Sequence, residues 1–146
     1  MANLSSIQTL TELSIRASEQ AVTRLGQANQ EHARAVDKLK VLQNYHQSYA
    51  QQMQMEMAKG LNLGAYHNYV GFLASLEQAV NQQQQDVARK LQQVELQRRE
   101  WQHCERQRLS YATLRDRMLQ QQQQQANRRE QKLNDEFAER SFRRML

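Results

Sequence analysis

The chain has 146 residues, of which 39% are hydrophobic and 6% are aromatic. That is enough for one ordinary domain but too little apolar surface for a deep globular core. The formal net charge is +5, and the positive excess lies in residues 89–146, where fourteen Lys and Arg accompany eight Asp and Glu. This half could contact nucleic acid, an anionic membrane surface or an acidic protein.

The N-terminal residues and the cysteine content predict a cytoplasmic protein. The first ten residues, MANLSSIQTL, lack the basic cluster and apolar block of a secretory signal. No stretch reaches the roughly 20 apolar residues that a transmembrane helix needs. Cys104 is the single cysteine, so no internal disulfide can form, which fits a reducing compartment.

Apolar residues recur at alternating steps of three and four in the first third of the chain, which predicts a helix over about residues 3–57 with a narrow coiled-coil seam. The predicted seam residues are Ile7, Leu10, Ala17, Ala21, Leu25, Ala28, Ala35, Leu39, Leu42, Tyr45, Tyr49 and Met53. The seam is weak at Ser14 and His32, and one step slips between Ala21 and Leu25.

Three of the four glycines lie within residues 58–72 of a chain that has no proline. They predict a turn over about residues 58–65, with Gly60 in the left-handed conformation that ends the first helix. A short connection makes the flanking helices antiparallel neighbours, so residue i should lie opposite about residue 122 minus i. Gly71 should lie inside the second helix, where it costs about 1 kcal/mol relative to alanine and allows a close approach of the first helix.

A second helix is predicted over about residues 66–143. Its seam residues are Tyr69, Leu73, Leu76, Val80, Val87, Val94, Trp101, Ala112 and Leu119. Gln83, Arg98 and Arg115 occupy seam-like positions and should direct their long side chains outward. Because the first helix runs out of partner residues near position 121, about residues 120–146 should overhang. The predicted fold is an all-α antiparallel two-helix coiled-coil hairpin with an overhanging C-terminal helix, although the same seam could join two extended chains.

The sequence predicts a protein that is not an enzyme and needs no cofactor. It has no Gly-rich phosphate loop and no nucleophile elbow, and two helices offer no concave pocket. His103 and Cys104 are adjacent, but no further cysteine lies near enough to complete a zinc site. Acidic residues are interleaved with the basic residues of the second half and largely cancel their field, so nucleic acid is not the expected partner.

The aromatic residues predict a binding surface. Tyr45, Tyr49, Tyr66, Tyr69 and Phe72 all lie within 17 residues of the turn. Antiparallel pairing should place Tyr45 opposite Leu76 and Tyr49 opposite Leu73. One seam cannot bury so many large side chains, so some should form an exposed patch for protein contact, unless they plug a wide end of the hairpin. The basic overhang, with its sparse apolar residues, predicts a second interaction element.

The residues of this hairpin that carry a family resemblance are Leu42, Tyr45, Tyr49, Phe72, Leu76 and Ala79, together with the segment DEFAERSFRR. With them the chain resembles the FliJ family, a soluble component of the bacterial flagellar type III export apparatus. The resemblance implies a non-enzymatic stalk, similar to the central stalk of a rotary ATPase, peripherally associated with the inner-membrane export apparatus. It implies three partners: the hexameric export ATPase, the cytoplasmic domain of the membrane export gate, and export chaperones.

The resemblance also implies residue roles. The group that would bind the export gate comprises Leu42, Tyr45, Tyr49, Phe72, Leu76 and Ala79. The group that would contact the ATPase comprises Phe137, Arg140 and Arg143. The chain departs from the family pattern at Lys38 and Gln83, where the family often carries Gln and His, and this puts the polar edge of the gate-binding group in question.

Three alternatives share the physical features of the sequence. A stalk from a virulence-type secretion system would have the same helices and surfaces. A plain coiled-coil scaffold would stimulate no ATPase and bind no gate. A nucleic-acid-binding hairpin would bind with a steep dependence on salt.

Overall fold

A computed structural model of the chain describes residues 3–146. It contains two helices, α1 (Leu4–Lys59) and α2 (Leu63–Met145), and no strand within those residues. The helices pack against each other and are antiparallel, because Glu31 of α1 contacts Lys90 of α2, whereas the later residue His46 contacts the earlier residue Glu77. The predicted all-α two-helix hairpin is therefore confirmed.

The turn is short, and a cap marks both the end of α1 and the start of α2. Gly60 has a φ of 92°, in the left-handed region that glycine adopts readily, and its N–H donates to the Met57 carbonyl at 3.2 Å. Asn62 caps the second helix, since its Oδ1 accepts a hydrogen bond from the Ala65 N–H at 2.7 Å. The non-helical residues are thus 60–62, where the sequence pattern suggested about 58–65.

The buried face of α1 follows a regular heptad spacing from Ile7 to Met53, with steps of four and three and no slipped step. The row consists of Ile7, Thr11, Ser14, Ser18, Ala21, Leu25, Ala28, His32, Ala35, Leu39, Leu42, His46, Tyr49 and Met53. The predicted seam was wrong at Leu10, Ala17 and Tyr45, which lie beside this row. The adjacent residues Thr11, Ser18 and His46 take those positions, and a search for apolar residues passes over them because they are polar.

The buried face of α2 has the same spacing. Its row consists of Tyr69, Leu73, Leu76, Val80, Gln83, Val87, Lys90, Val94, Gln97, Trp101, Cys104, Arg108, Tyr111, Arg115 and Met118. The predicted seam was wrong by one residue at Arg98, Ala112 and Leu119, because the seam positions are taken by Gln97, Tyr111 and Met118. The Arg98 side chain is exposed, as expected. Gln83 does not point outward as expected: it is buried, and its Nε2 donates to the Ala35 carbonyl at 2.9 Å.

Gly71 also differs from its prediction. It lies inside α2, but a Cβ added there would have no heavy atom within 4 Å. It therefore permits no close approach of α1, and the structure offers no packing reason for a glycine at this position.

Packing divides the chain into two units. The unit formed by Ala21–Trp101 has small residues at its most buried positions in α1, namely Ala21, Ala28 and Ala35. The other unit contains the described residues up to 20 together with those from 102 onward. Its buried α1 residues are one Ile and three hydroxyl residues, and the hydroxyls of Thr11 and Ser14 donate to carbonyls of their own helix at 2.7 Å.

Two further features concern the surface of the described residues. Within residues 3–146, neither helix carries a stretch apolar enough to span a bilayer. Beyond Met118, every residue of the chain is exposed except Ser141. We call residues 119–146 the tail.

Candidate protein-binding surfaces

Four aromatic side chains form one cluster across the two helices in the unit Ala21–Trp101. The Tyr49 ring lies at its centre, with its centroid 4.5 Å from that of Phe72 and 5.0 Å from that of Tyr69. Tyr45 packs edge-on against Phe72 at 5.9 Å and is stacked with Tyr49 at 6.3 Å. Such distances are typical of favourable aromatic pairs. We call these four residues the aromatic cluster.

The aromatic cluster is only partly buried by the hairpin. Tyr45 is 53% exposed and Phe72 is 38% exposed, while Tyr49 and Tyr69 are half-buried. The packing of two coiled-coil helices buries only a narrow stripe on each helix, so a large side chain at the edge of that stripe remains exposed to water on one side. The cluster is therefore an apolar surface with hydroxyl groups, which suits contact with another protein.

The structure brings the six gate-group residues into one region but gives them different exposures. Tyr45 and Phe72 present accessible surface, and Leu42, Tyr49 and Ala79 are half-buried. Leu76 is only 7% exposed, so it belongs to the core beneath the surface. A role for Leu76 in binding would be to hold its neighbours in place.

The rings of Tyr45 and Tyr49 both pack on Phe72, and Tyr49 also packs on Tyr69. The placement of these two tyrosines opposite Leu76 and Leu73 stays a prediction. Tyr69 was not among the residues expected to bind the gate. Its seam position one turn before Leu73, on the face of α2 that packs against α1, was the signal that could have identified it.

Lys38 and Gln83, the two residues expected at the polar edge of this region, differ in exposure. Lys38 is exposed beside the buried row of α1. Gln83 is buried and bonded to the backbone of α1, so its amide group cannot contribute a surface contact there. Gln83 therefore joins the helices to each other instead of extending the surface.

The tail carries a second apolar stripe. Continuing the heptad spacing beyond Met118 reaches only polar residues, namely Gln122, Gln125, Arg129, Lys132 and Glu136. The apolar residues Ala126, Leu133 and Phe137 follow one position later, which places them about 100° further around the helix. Leu133 is 65% exposed and Phe137 is 73% exposed. The tail thus has an apolar stripe that does not continue the seam.

The predicted ATPase-contact residues all lie on the exposed tail. Phe137 and Arg140 are three residues apart and therefore lie on the same face of the helix. Arg143 instead forms an ion pair with Glu139, with Nη2 and Oε1 separated by 2.8 Å. Because this pair is exposed, it leaves the guanidinium able to exchange partners at little cost.

A polar network joins the helices in the unit that includes the tail. Glu105 accepts hydrogen bonds from the Ser18 hydroxyl at 2.6 Å and from Arg108 Nε at 3.0 Å, and it also accepts one from Arg108 Nη2. The bonds from Arg108, followed by the bond from Ser18, lower the pKa of Glu105 from 4.5 to about 2. Glu105 is thus an anion that links α1 to α2.

The residues considered for metal binding do not form a site. Cys104 is a buried seam residue. Among the described residues, no three His, Cys, Asp or Glu side chains gather closely enough to hold a metal ion.

The fold defines a class of protein: a two-helix coiled-coil hairpin, here with exposed aromatic and apolar side chains. The family model described as flagellar FliJ protein matches residues 3–146, and the chain belongs to this family. A flagellar FliJ protein from Salmonella typhi is 28% identical over 141 residues, covering 97% of this chain and 96% of the relative. One from Escherichia coli strain K12 has the same identity and coverage.

Proposed function

We propose that this chain couples two components of the flagellar type III export apparatus, the hexameric export ATPase and the membrane export gate, and that it also handles export chaperones. It performs no chemistry itself. The observation that carries the proposal is the presence, in a member of a flagellar family, of two separate exposed apolar surfaces on one hairpin. Family membership favours this flagellar role over the equivalent role in a virulence-type system.

The aromatic cluster is the proposed gate-binding surface. Its exposed rings are held by contacts with each other, so little side-chain entropy is lost when a partner covers them. Aromatic side chains also dominate the energetics of many protein interfaces. Tyr45 and Phe72 make the direct contacts in this proposal, and Leu76 supports them from the core.

The tail is the proposed ATPase-binding surface. An isolated helix of its length is marginal in water, and a partner that covers Leu133 and Phe137 would stabilise it. Arg140 and Arg143 would supply charge-assisted hydrogen bonds to acidic groups of the partner.

The ATPase role is tested by measuring ATP hydrolysis by the purified export ATPase. The full chain should raise the rate, and a chain that ends at Gln120 should leave it at the basal level. Phe137→Ala should raise the concentration of chain needed for half-maximal stimulation about tenfold. Phe142→Ala is the matched control, because Phe142 lies about 140° around the helix from Phe137 and should leave stimulation unchanged. Equal stimulation by the truncated and full chains would show that the tail does not contact the ATPase.

The gate role is tested by titrating the purified cytoplasmic gate domain with variants of the aromatic cluster. Tyr45→Ala should weaken binding about tenfold, since a partly exposed ring at an interface carries a large share of the affinity. Tyr66→Ala is the control, because Tyr66 contacts only His67 among the described ring pairs. Circular dichroism should be the same for both variants. A loss of helicity in Tyr45→Ala alone would instead identify Tyr45 as a core residue.

A further inference from the structure

The tail has a second apolar face, which the proposed ATPase contact leaves free. Ala138, Phe142 and Met145 follow one another at steps of four and three residues, so they lie along one face of α2. Phe142 is 63% exposed and Met145 is 86% exposed, and Leu146, which follows the end of the helix, is 91% exposed. Phe142 points about 140° away from Phe137 around the helix axis. We call Ala138, Phe142, Met145 and Leu146 the distal apolar face.

Arginine side chains occupy the opposite side of the same helical segment. Arg140 and Arg144 each lie about 160° around the helix from Phe142, and Arg143 lies about 100° from it. Arg143 is paired with Glu139, the single acidic residue among residues 138–146. Arg140 and Arg144 have no ion-pair partner within the described residues. The segment is therefore amphipathic, with an apolar side and a basic side.

We propose that the distal apolar face binds the surface of a bilayer that contains anionic lipids. A helix with one apolar face and one basic face lies in the plane of a membrane interface, where the apolar side chains leave water and the basic side chains are attracted to anionic headgroups. A headgroup phosphate can accept two parallel N–H bonds from one guanidinium. Arg140 and Arg144 are free to make such bonds, because neither has an ion-pair partner within residues 3–146.

A bilayer suits this face better than an acidic groove of a protein does. The three arginines are spread over about 100° of the helix circumference, and a fluid layer of headgroups can meet all of them, whereas a protein must place a carboxylate for each. Asp135 lies seven residues before Phe142 on nearly the same side, so the face is limited to residues 138–146. Because the face is short and carries few charges, the contact should be weak and reversible.

The contact is tested by sedimenting the full chain with vesicles, made either of phosphatidylcholine alone or of equal parts phosphatidylcholine and phosphatidylglycerol. The partition coefficient should be about fivefold higher or more for the anionic vesicles, because their surface attracts the arginines. Phe142→Ala should lower binding to the anionic vesicles about tenfold, since it removes the largest apolar side chain of the face. Phe137→Ala is the matched control and should bind as the native chain does.

Fluorescence separates insertion of the face from adsorption by charge alone. The emission of Phe142→Trp should shift to shorter wavelength when anionic vesicles are added, because the indole ring enters a less polar environment. Phe137→Trp should show no shift. Trp101 is the only native tryptophan and gives the same background in both variants.

Three results would overturn the proposal. These are equal sedimentation of the native chain with both kinds of vesicle, equal losses of binding in Phe142→Ala and Phe137→Ala, and an emission of Phe142→Trp that vesicles leave unchanged. A Phe142→Ala variant that keeps vesicle binding but loses ATPase stimulation would also overturn it, because the face would then bind the ATPase. The vesicles contain no flagellar component, so the sedimentation result is independent of the proposed coupling function.

Discussion

Glu105 shows how a single side chain links the helices without an apolar contact. It receives hydrogen bonds from Ser18 on α1 and from Arg108 on its own helix. These donors stabilise the carboxylate and hold the pKa of Glu105 at about 2, well below its usual 4.5. The folded chain therefore binds a proton at Glu105 less readily than the unfolded chain does.

This lowered pKa predicts a specific dependence of stability on pH. The contribution of Glu105 should be fully present above pH 4.5 and should be lost progressively as pH falls toward about 2, because the unfolded chain takes up the proton first. The measurement is the free energy of unfolding from urea titrations at several pH values, for the native chain and for Glu105→Gln. The two curves should converge in acid.

Ser18→Ala supplies the matched comparison, because it removes one of the donors to Glu105 and leaves the carboxylate in place. Its curve should lie between the other two. Parallel curves for the native chain and Glu105→Gln across the acid range would contradict the assigned network.

Individual polar residues were the part of the structure that the sequence predicted least well. Gln83 and His46 occupy buried heptad positions, although their side chains are polar. Their placement depends on tertiary contacts, such as the hydrogen bond from Gln83 to the Ala35 carbonyl. Such contacts cannot be predicted from a local sequence pattern. The placement of His46 Nε2, 3.5 Å from Glu77 Oε1 of α2, likewise depends on how the two helices pack.

At the scale of the helices, two glycines give opposite predictions for the same substitution. Gly26 lies in the interior of α1, where an added Cβ would have no heavy atom within 4 Å. Gly26→Ala should therefore stabilise the chain by about 1 kcal/mol through better helix propensity. Gly60 has a φ of 92°, which an alanine adopts only with strain. Gly60→Ala should therefore destabilise the chain by about 1 kcal/mol or more.

Thermal unfolding followed by circular dichroism measures both effects. The midpoint should rise by roughly 2–4 °C for Gly26→Ala and fall by at least as much for Gly60→Ala. A fall for Gly26→Ala would mean that the glycine has a packing role that its open surroundings do not indicate. An unchanged midpoint for Gly60→Ala would mean that the first helix does not depend on the left-handed cap.

The helices themselves were predictable because their signals are repeated many times. A heptad pattern over dozens of residues predicts a coiled coil even when single positions are wrong. The end of the first helix was predictable from Gly60, since glycine marks left-handed caps. The start of the second helix was harder to predict, because Asn62 lies among several glycines and is only one of several residues that could begin the helix.

For the whole molecule, the central claim is that one chain binds two partners through separate residues. The aromatic cluster and the tail belong to different packing units, so a variant in one should not alter the other. Neither surface could be assigned to a partner from physical features alone. Exposed aromatic and basic residues predict contact, but the identity of the partner came from the family resemblance.

The most direct test is light scattering after size-exclusion chromatography of the chain mixed with both the purified export ATPase and the gate domain. We predict a single complex whose mass requires all three proteins. Tyr45→Ala should reduce the amount of gate domain in the complex and leave the amount of ATPase unchanged, whereas truncation at Gln120 should remove the ATPase and keep the gate domain. Two binary complexes that never combine, each containing this chain, would contradict the account.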